Sequence, residues 1–392
     1  MGALIHPSGL LGVSPVPNVS DANDANCCAA LRVILACFCE TLYFDSNSST
    51  EQGRHVPEAN QWLRWARTSI GPLARPLFAA LVNVALGEQS ATYSAGSWLP
   101  YGHLMTASAG RDMYVAISLH VLLLLLDSSE QGGSDRKDNV FWLELEALED
   151  YPAAESRAPP AAAAAGGEQA AAAAAEEEEE PDEEDIAAAA ALRPPGNFAK
   201  ILSGFEALLG QPAVASKSVL PASVLPIRCT DELLVLLWHM MCANQGFRQY
   251  VSARSQRVIV TVCQHIMSAR HDASRLGLLH VCVFILLHLS GERILGVGMN
   301  RPIDPAGPVP PPELGLIAGV STGADLLVCT LYKLLSDSDP QAQHALSDMG
   351  LTIICNLSPY TKAFGTRTHL RSALDVHARL KRHLSSHKGL PL

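Results

Sequence analysis

Gly319-Val320-Ser321-Thr322-Gly323 spells G-x-S-x-G, the pattern in which a strained strand-to-helix turn presents a nucleophilic serine. A short apolar run, Leu314 to Ala318, precedes it and a helix-forming stretch follows, so the immediate context suits acyl transfer. A hydrolase also needs several parallel strands to hold that turn, and the chain offers neither β-branched alternation nor βαβ spacing. The same residues make a good helix N-terminus, because Thr322-x-x-Asp325 is a capping box. The capping reading is preferred. A lipase-like serine hydrolase using Ser321 stands as the alternative of a different class.

The remaining chemistry-bearing groups give no stronger lead. Gly296-Val297-Gly298 lacks the third glycine and the preceding strand of a dinucleotide site, and no phosphate-binding G-x-x-x-x-G-K-[ST] occurs. His280 and His288 are eight residues apart, about 80° around a helix, and read as core or groove histidines rather than metal ligands. The 10 cysteines form no C-x-x-C, and most sit singly in apolar helical runs, as free thiols do in a reducing compartment. No catalytic, cofactor-binding or metal-binding residue is therefore assigned, no cofactor or small-molecule substrate is expected, and the chain is read as not an enzyme.

Charge excludes another class. The net charge of −11 is concentrated between Tyr151 and Ala190, where Glu155, Glu168, Glu176 to Glu180, Asp182, Glu183, Glu184 and Asp185 face only Arg157. The rest of the chain is close to neutral, and nothing argues for nucleic acid. The end of the chain, Thr366 to Leu392, carries six bases against Asp375 and could lie on an anionic membrane surface as a basic helix. Met1 to Pro17 does not read as a signal peptide, and His6 stands where a myristoylation motif at Gly2 needs Ser or Thr.

The elements that would position any site are helices. Apolar residues recur at three- and four-residue spacing through about ten segments of about 12–17 residues, with no fixed-period repeat. The central one is Leu276 to Leu289, apolar except at Gly277, His280 and His288. Such a helix is expected to be buried on all sides, so that truncating Phe284 to Ala would cost about 3–5 kcal/mol. Asp272 or Ser274 would cap its start, and Gly291 in the left-handed conformation would end it. The fold expected is all-α, an irregular armadillo-like helical solenoid interrupted by a disordered Ala/Glu-rich insertion. Its parts are a tail over 1–26, a helical region over 27–127, the acidic insertion over 128–197, the core of the solenoid over 198–365 and a basic tail over 366–392. Within it, Ala29 to Phe44 and Phe198 to Leu209 are expected helices, the latter closed by Gly210 and Pro212. The charged loops on either side of the central helix, with Arg270, Asp272 and Arg275 before it and Glu292, Arg293 and Asn300 after it, are the candidate partner-binding residues.

The stretch from Ser268 to Pro302, SARHDASRLGLLHVCVFILLHLSGERILGVGMNRP, resembles the signature of the high-temperature-induced dauer-formation (Hid-type) proteins, relatives of dymeclin. Val33 to Tyr43, Leu99 to Leu104, Glu232 to Trp238, Ala324 to Leu327 and Ser358-Pro359-Tyr360-x-Lys362 fit the same family in the same order. The resemblance implies a non-enzymatic protein bound peripherally to Golgi or trans-Golgi membranes from the cytoplasm. It implies a role in secretory cargo sorting and dense-core vesicle formation, with protein partners of the secretory pathway. A soluble cytosolic adaptor without a membrane role is the further alternative. Family members are longer, so the chain is expected to be a middle portion or a truncated gene model, diverging after about Gly365.

Overall fold

The computed structural model describes residues 21–39, 60–86, 109–127, 135–150, 196–217, 229–254, 256–304, 321–337 and 340–361, with isolated positions between 308 and 314. Among the described residues there are fourteen α-helices and no strand, and one antiparallel bridge joins Pro302 to Thr322. In chain order they are α1 (Asp21–Phe38), α2 (Gln61–Ser69), α3 (Ala74–Leu86), α4 (Ala109–Leu126), α5 (Asp135–Asp138), α6 (Val140–Glu146), α7 (Asn197–Lys217) and α8 (Thr230–Ala243). There follow α9 (Gln245–Arg254), α10 (Gln256–Ala269), α11 (Leu276–Ser290), α12 (Arg293–Gly298), α13 (Gly323–Asp337) and α14 (Pro340–Leu357).

Their contacts define the architecture. Four helical pairs, α3/α4, α7/α8, α10/α11 and α13/α14, stack one on the next. The first members form one row, α3–α7–α10–α13, and the second members form a parallel row, α4–α8–α11–α14. This is an all-α solenoid. Its first helices begin at residues 74, 197, 256 and 323, so no common repeat length exists for a sequence period to reveal. The short helices fill in around the rows: α1 covers α4, α6 packs on α3 and α8, and α9 bridges α8 and α12. One continuous apolar core runs between the rows, including Phe78, Leu122, Phe141, Phe205, Leu237, Phe247, Ile266, Leu286 and Leu331, each 2% exposed or less.

Buried asparagines join the layers. Asn60, Asn139 and Asn244 each accept from N–H groups at the start of the next helix while donating Nδ2 to a carbonyl of an earlier one. Asn60 reaches Cys37 O at 2.7 Å, Asn139 reaches Leu125 O at 2.9 Å, and Asn244 reaches Leu148 O at 2.7 Å. Asn244 also lies within 3.1 Å of Leu145 O and 3.2 Å of Glu146 O.

Several expectations change in detail. The first helix spans Asp21–Phe38, earlier than Ala29 to Phe44. Pro212 does not close α7, which continues to Lys217; near that turn the buried His265 Nε2–H donates to Leu209 O at 3.2 Å and satisfies the carbonyl. Gly291 has φ −69° rather than a left-handed value, because the chain turns directly into α12 without reversing. Within the stretch after Ser128, the residues from Val140 form the short helix that their pattern suggests, and α6 buries Phe141, Trp142 and Leu145. The Ala/Glu-rich segment, the basic tail and the loop at Leu99 to Leu104 lie outside the described residues.

The largest correction concerns α11. Leu278, Leu279, Cys282, Val283, Ile285, Leu286 and Leu289 are buried, but Gly277 and Phe284 are exposed and His280, Val281, Leu287 and His288 half-buried. The stack explains this, since α8 and α14 cover its flanks and α10 its back, leaving a fourth side open. Ala273–Ser290 is long and apolar enough to cross a membrane by length and composition, yet here it is a shared wall of three helices.

Candidate functional site

The six candidate loop residues fall at opposite ends of α11, about 22 Å apart for a 15-residue helix, so they form two sites rather than one. At the first end, Asp272 caps the 3₁₀ turn Ala273–Arg275, accepting from Ser274 N–H at 2.9 Å and Ser274 Oγ at 2.6 Å. Those hydrogen bonds, followed by the nearby Arg275 charge, hold its carboxyl below the usual range. Arg270 donates to the Met267 carbonyl at the end of α10. Arg275 reaches across to Asp231 of α8 at 3.3 Å. Both groups are solvated, so this pair is worth at most about 1 kcal/mol.

At the second end, Glu292 receives Arg248 Nε at 2.8 Å, with both side chains about four-fifths covered. Asn300 donates to Gly296 O, Val297 O and Tyr360 O at 3.2, 3.2 and 2.9 Å. Arg293 is exposed and makes no ion pair among the described residues; beside it on α12, Ile294 and Val297 are 51% and 52% exposed. Four of the six residues thus hold the chain's own turns together, Arg275 makes a solvated pair with Asp231, and Arg293 has no ion-pair partner among the described residues.

Two of the quoted motifs meet here. A Cβ added at Gly296 would stand 2.5 Å from Tyr360 Cδ2, so the glycine of the G-V-G run is the seat of the tyrosine in Ser358-Pro359-Tyr360. Gly323 likewise lies against Met299.

Ser321 is placed in a capping turn. Its N–H and Oγ each lie 3.4 Å from Asp325 Oδ2, while Thr322 N–H and Oγ1 donate to the same oxygen at 3.2 and 2.9 Å. Asp325 N–H returns a bond to Thr322 Oγ1 at 3.2 Å, completing the reciprocal box. Asp325 is 1% exposed, and its first role is to close the N-terminus of α13. Ser321 and Thr322 thus serve as the cap of α13, and no strand occurs beneath them among the described residues.

The thiols and imidazoles point the same way. Burial pushes Cys229 and Cys263 up to about 12 and raises Cys282 as well, which disfavours the thiolate form at all three. Burial also lowers the pKa of His239, His265 and His288. His280 Nδ1 is 2.9 Å from Leu276 O, a bond within its own helix.

Sequence reasoning missed a ladder of rings on the open side of the second row. Trp142 meets His239 edge-on at 5.9 Å, His239 lies 5.1 Å from Trp238, and Trp238 stacks on Phe284 at 6.0 Å and 26°. His280 continues it at 6.3 Å, and the Arg136 guanidinium lies 4.8 Å over Trp142. It joins α6, α8 and α11 and runs from the buried Trp142 through the half-buried Trp238 and His239 to the exposed Phe284.

Stacked helical pairs joined by structural turns define an all-α solenoid. A family model described as "Dymeclin: Dyggve-Melchior-Clausen syndrome protein" matches residues 13–368, and the chain belongs to that family. Protein HID1 of Mus musculus is 29% identical over 358 residues, covering 91% of this chain and 39% of the relative. Protein HID1 of Dictyostelium discoideum is 26% identical over 366 residues, covering 91% and 36%. The Ubp5-interacting protein ftp105 of Schizosaccharomyces pombe is 24% identical over 157 residues, 40% of this chain and 17% of that one. The chain thus spans about two-fifths of the length of the HID1 relatives, and the Hid-type resemblance stands. No solved structure matches.

Proposed function

We propose that this chain is a non-enzymatic scaffold of the Hid type, attached peripherally to the cytoplasmic side of Golgi or trans-Golgi membranes. There it holds protein partners during secretory cargo sorting and the formation of dense-core vesicles. The observation that supports this reading most is the family match laid over an uninterrupted four-pair stack, whose loops and open row offer contact surface. Partner contact at the ends of α11 falls to Arg293, which is exposed and makes no ion pair among the described residues, and to Arg275, whose pair with Asp231 is solvated and readily exchanged.

The location is tested by imaging the tagged chain in secretory cells against Golgi and trans-Golgi markers. Coincidence with those markers is expected, and an even cytosolic distribution would sink the membrane part of the proposal. The contact is tested by charge reversal, Arg275→Glu with Arg293→Glu. Both side chains are solvated, so the melting temperature should move by no more than a few degrees. A pull-down of secretory partners should lose its captured proteins, and unchanged capture would remove these loops from the interface.

A further inference from the structure

A cleft of about 410 Å³ opens between α7, the α9–α10 junction and the segment following α12. Three arginines from three separate elements line it: Arg254 ends α9, Arg257 lies in the first turn of α10, and Arg301 follows α12. The Arg254 guanidinium is braced 4.2 Å over the ring of Tyr250, which also lines the cleft. Arg257 is held by Asp304 at 3.3 Å and by Glu206 at 3.9 Å. Neither Arg254 nor Arg301 has a carboxylate partner among the described residues.

The wall that carries Arg301 is fixed rather than loose. Gln256 Nε2 donates to Pro302 O at 2.6 Å, Gly323 N–H donates to Arg301 O at 3.4 Å, and Ile303 N–H donates to Ser321 O at 3.1 Å. Solvated arginines at helix ends are ordinary on a protein surface. Three of them converging from three directions on one concave space of ligand size are less so.

We propose that this cleft binds a phosphorylated ligand through a phosphomonoester or polyphosphate group, free in solution or as the headgroup of a lipid. Arg254 and Arg301 make the first contacts, and Arg257 joins them by giving up Asp304. Planar guanidinium forks suit a tetrahedral group with three acceptor oxygens, which can receive donors from three sides, better than a carboxylate, which presents two. The lining carries three positive groups, Arg254, Arg257 and Arg301, against two carboxylates, Glu206 and Asp304. The cleft does not depend on where the protein resides, so the proposal does not rest on the scaffold reading.

The test is calorimetric titration of the folded chain with inorganic pyrophosphate and with inositol trisphosphate, beside co-sedimentation with phosphatidylcholine vesicles with and without a phosphorylated inositol lipid. Binding of a soluble probe is expected, weakened at least about tenfold in R254E/R301E and strengthened in E206Q. The reversal R64E, on the exposed face of α2 away from the cleft, should leave it unchanged. Sedimentation only with the phosphorylated lipid would identify a headgroup as the source; soluble binding without sedimentation would identify a free phosphate compound. If R254E/R301E melts early, R254Q/R301Q is read in its place. No binding of either soluble probe together with no lipid-dependent sedimentation overturns the proposal, and so does an equal loss in R64E.

Discussion

At the scale of single residues, side chains that reach across the sequence matter more than those that stand out in it. Asn244, 4% exposed, caps α9 through Oδ1 and serves the carbonyls at the end of α6 through Nδ2. Asn244→Ala should cost about 2–3 kcal/mol in urea unfolding, because it uncaps a helix and strands buried acceptors. Asn244→Asp keeps the cap but turns a buried carboxylate toward carbonyl oxygens, and should cost more than Ala. An Asp variant as stable as the parent would show that the amide nitrogen contributes nothing. Gly296→Ala makes the complementary test of close approach: Tyr360 must move, and a loss of about 1–3 kcal/mol is expected. In the sequence, Asn60, Asn139 and Asn244 are three polar residues before helices, and that half of their role is legible. Their carbonyl partners lie 23, 14 and 99 residues away, or thereabouts for Asn244's three acceptors, and only the stack brings them near. The capping box at Thr322 and Asp325 was legible in full, since both partners sit within one turn.

At the scale of the element, α11 shows how far periodicity can be trusted. Its apolar residues run all round the helix, and composition alone implies burial on every side. The stack leaves one side open, so Phe284, 37% exposed and stacked on Trp238, should cost only about 1–2 kcal/mol when truncated to Ala. Ile285, fully buried one position away, should cost about 2–5 kcal/mol. Parallel chemical denaturation of the two variants checks the ordering, and a Phe284 loss equal to that of Ile285 would restore full burial. The existence and type of the long helices were legible because each has a broad apolar face. Their ends were less so: Pro212 is tolerated within α7, and the turn after Ser290 runs straight into another helix instead of reversing at Gly291. The pairing into rows was invisible, because repeats of unequal length carry no period.

At the scale of the whole molecule, three imidazoles, His265 buried and His239 and His288 half-buried, tie stability to acidity. Burial is the main cause that lowers the pKa of His239, His265 and His288 in the folded chain. Asp127 and Arg136 act on the first, Arg275 and Asp231 on the second, Arg248 and Glu292 on the third. The unfolded chain therefore takes up these protons at a higher pH than the folded one. Their contribution is complete above the ordinary value of 6.5 and is lost as the pH falls below it through the folded values. The urea midpoint should drop between about pH 7 and about pH 5, and His265→Gln, which keeps a donor for Leu209 O, should flatten that slope. The segment between Asp150 and Gly196 offers a second global test. Asn197 N–H donates to Asp150 O at 2.7 Å and Phe198 N–H to Asp150 Oδ1 at 2.8 Å, so the chain departs and returns at one stapled point. Deleting residues 153–191 should leave the melting temperature within a few degrees, since closing a shorter loop costs slightly less entropy. A larger drop would show that the segment packs on the stack.

The two-row stack also has a mechanical meaning. Each helical pair leans on the pair before and the pair after, and no strand ties the first pair to the last among the described residues. Pulled from its ends, such a molecule bends and stretches before any single pair lets go, then yields one pair at a time. Between two points of attachment it would act as a compliant strut, taking up load by flexing.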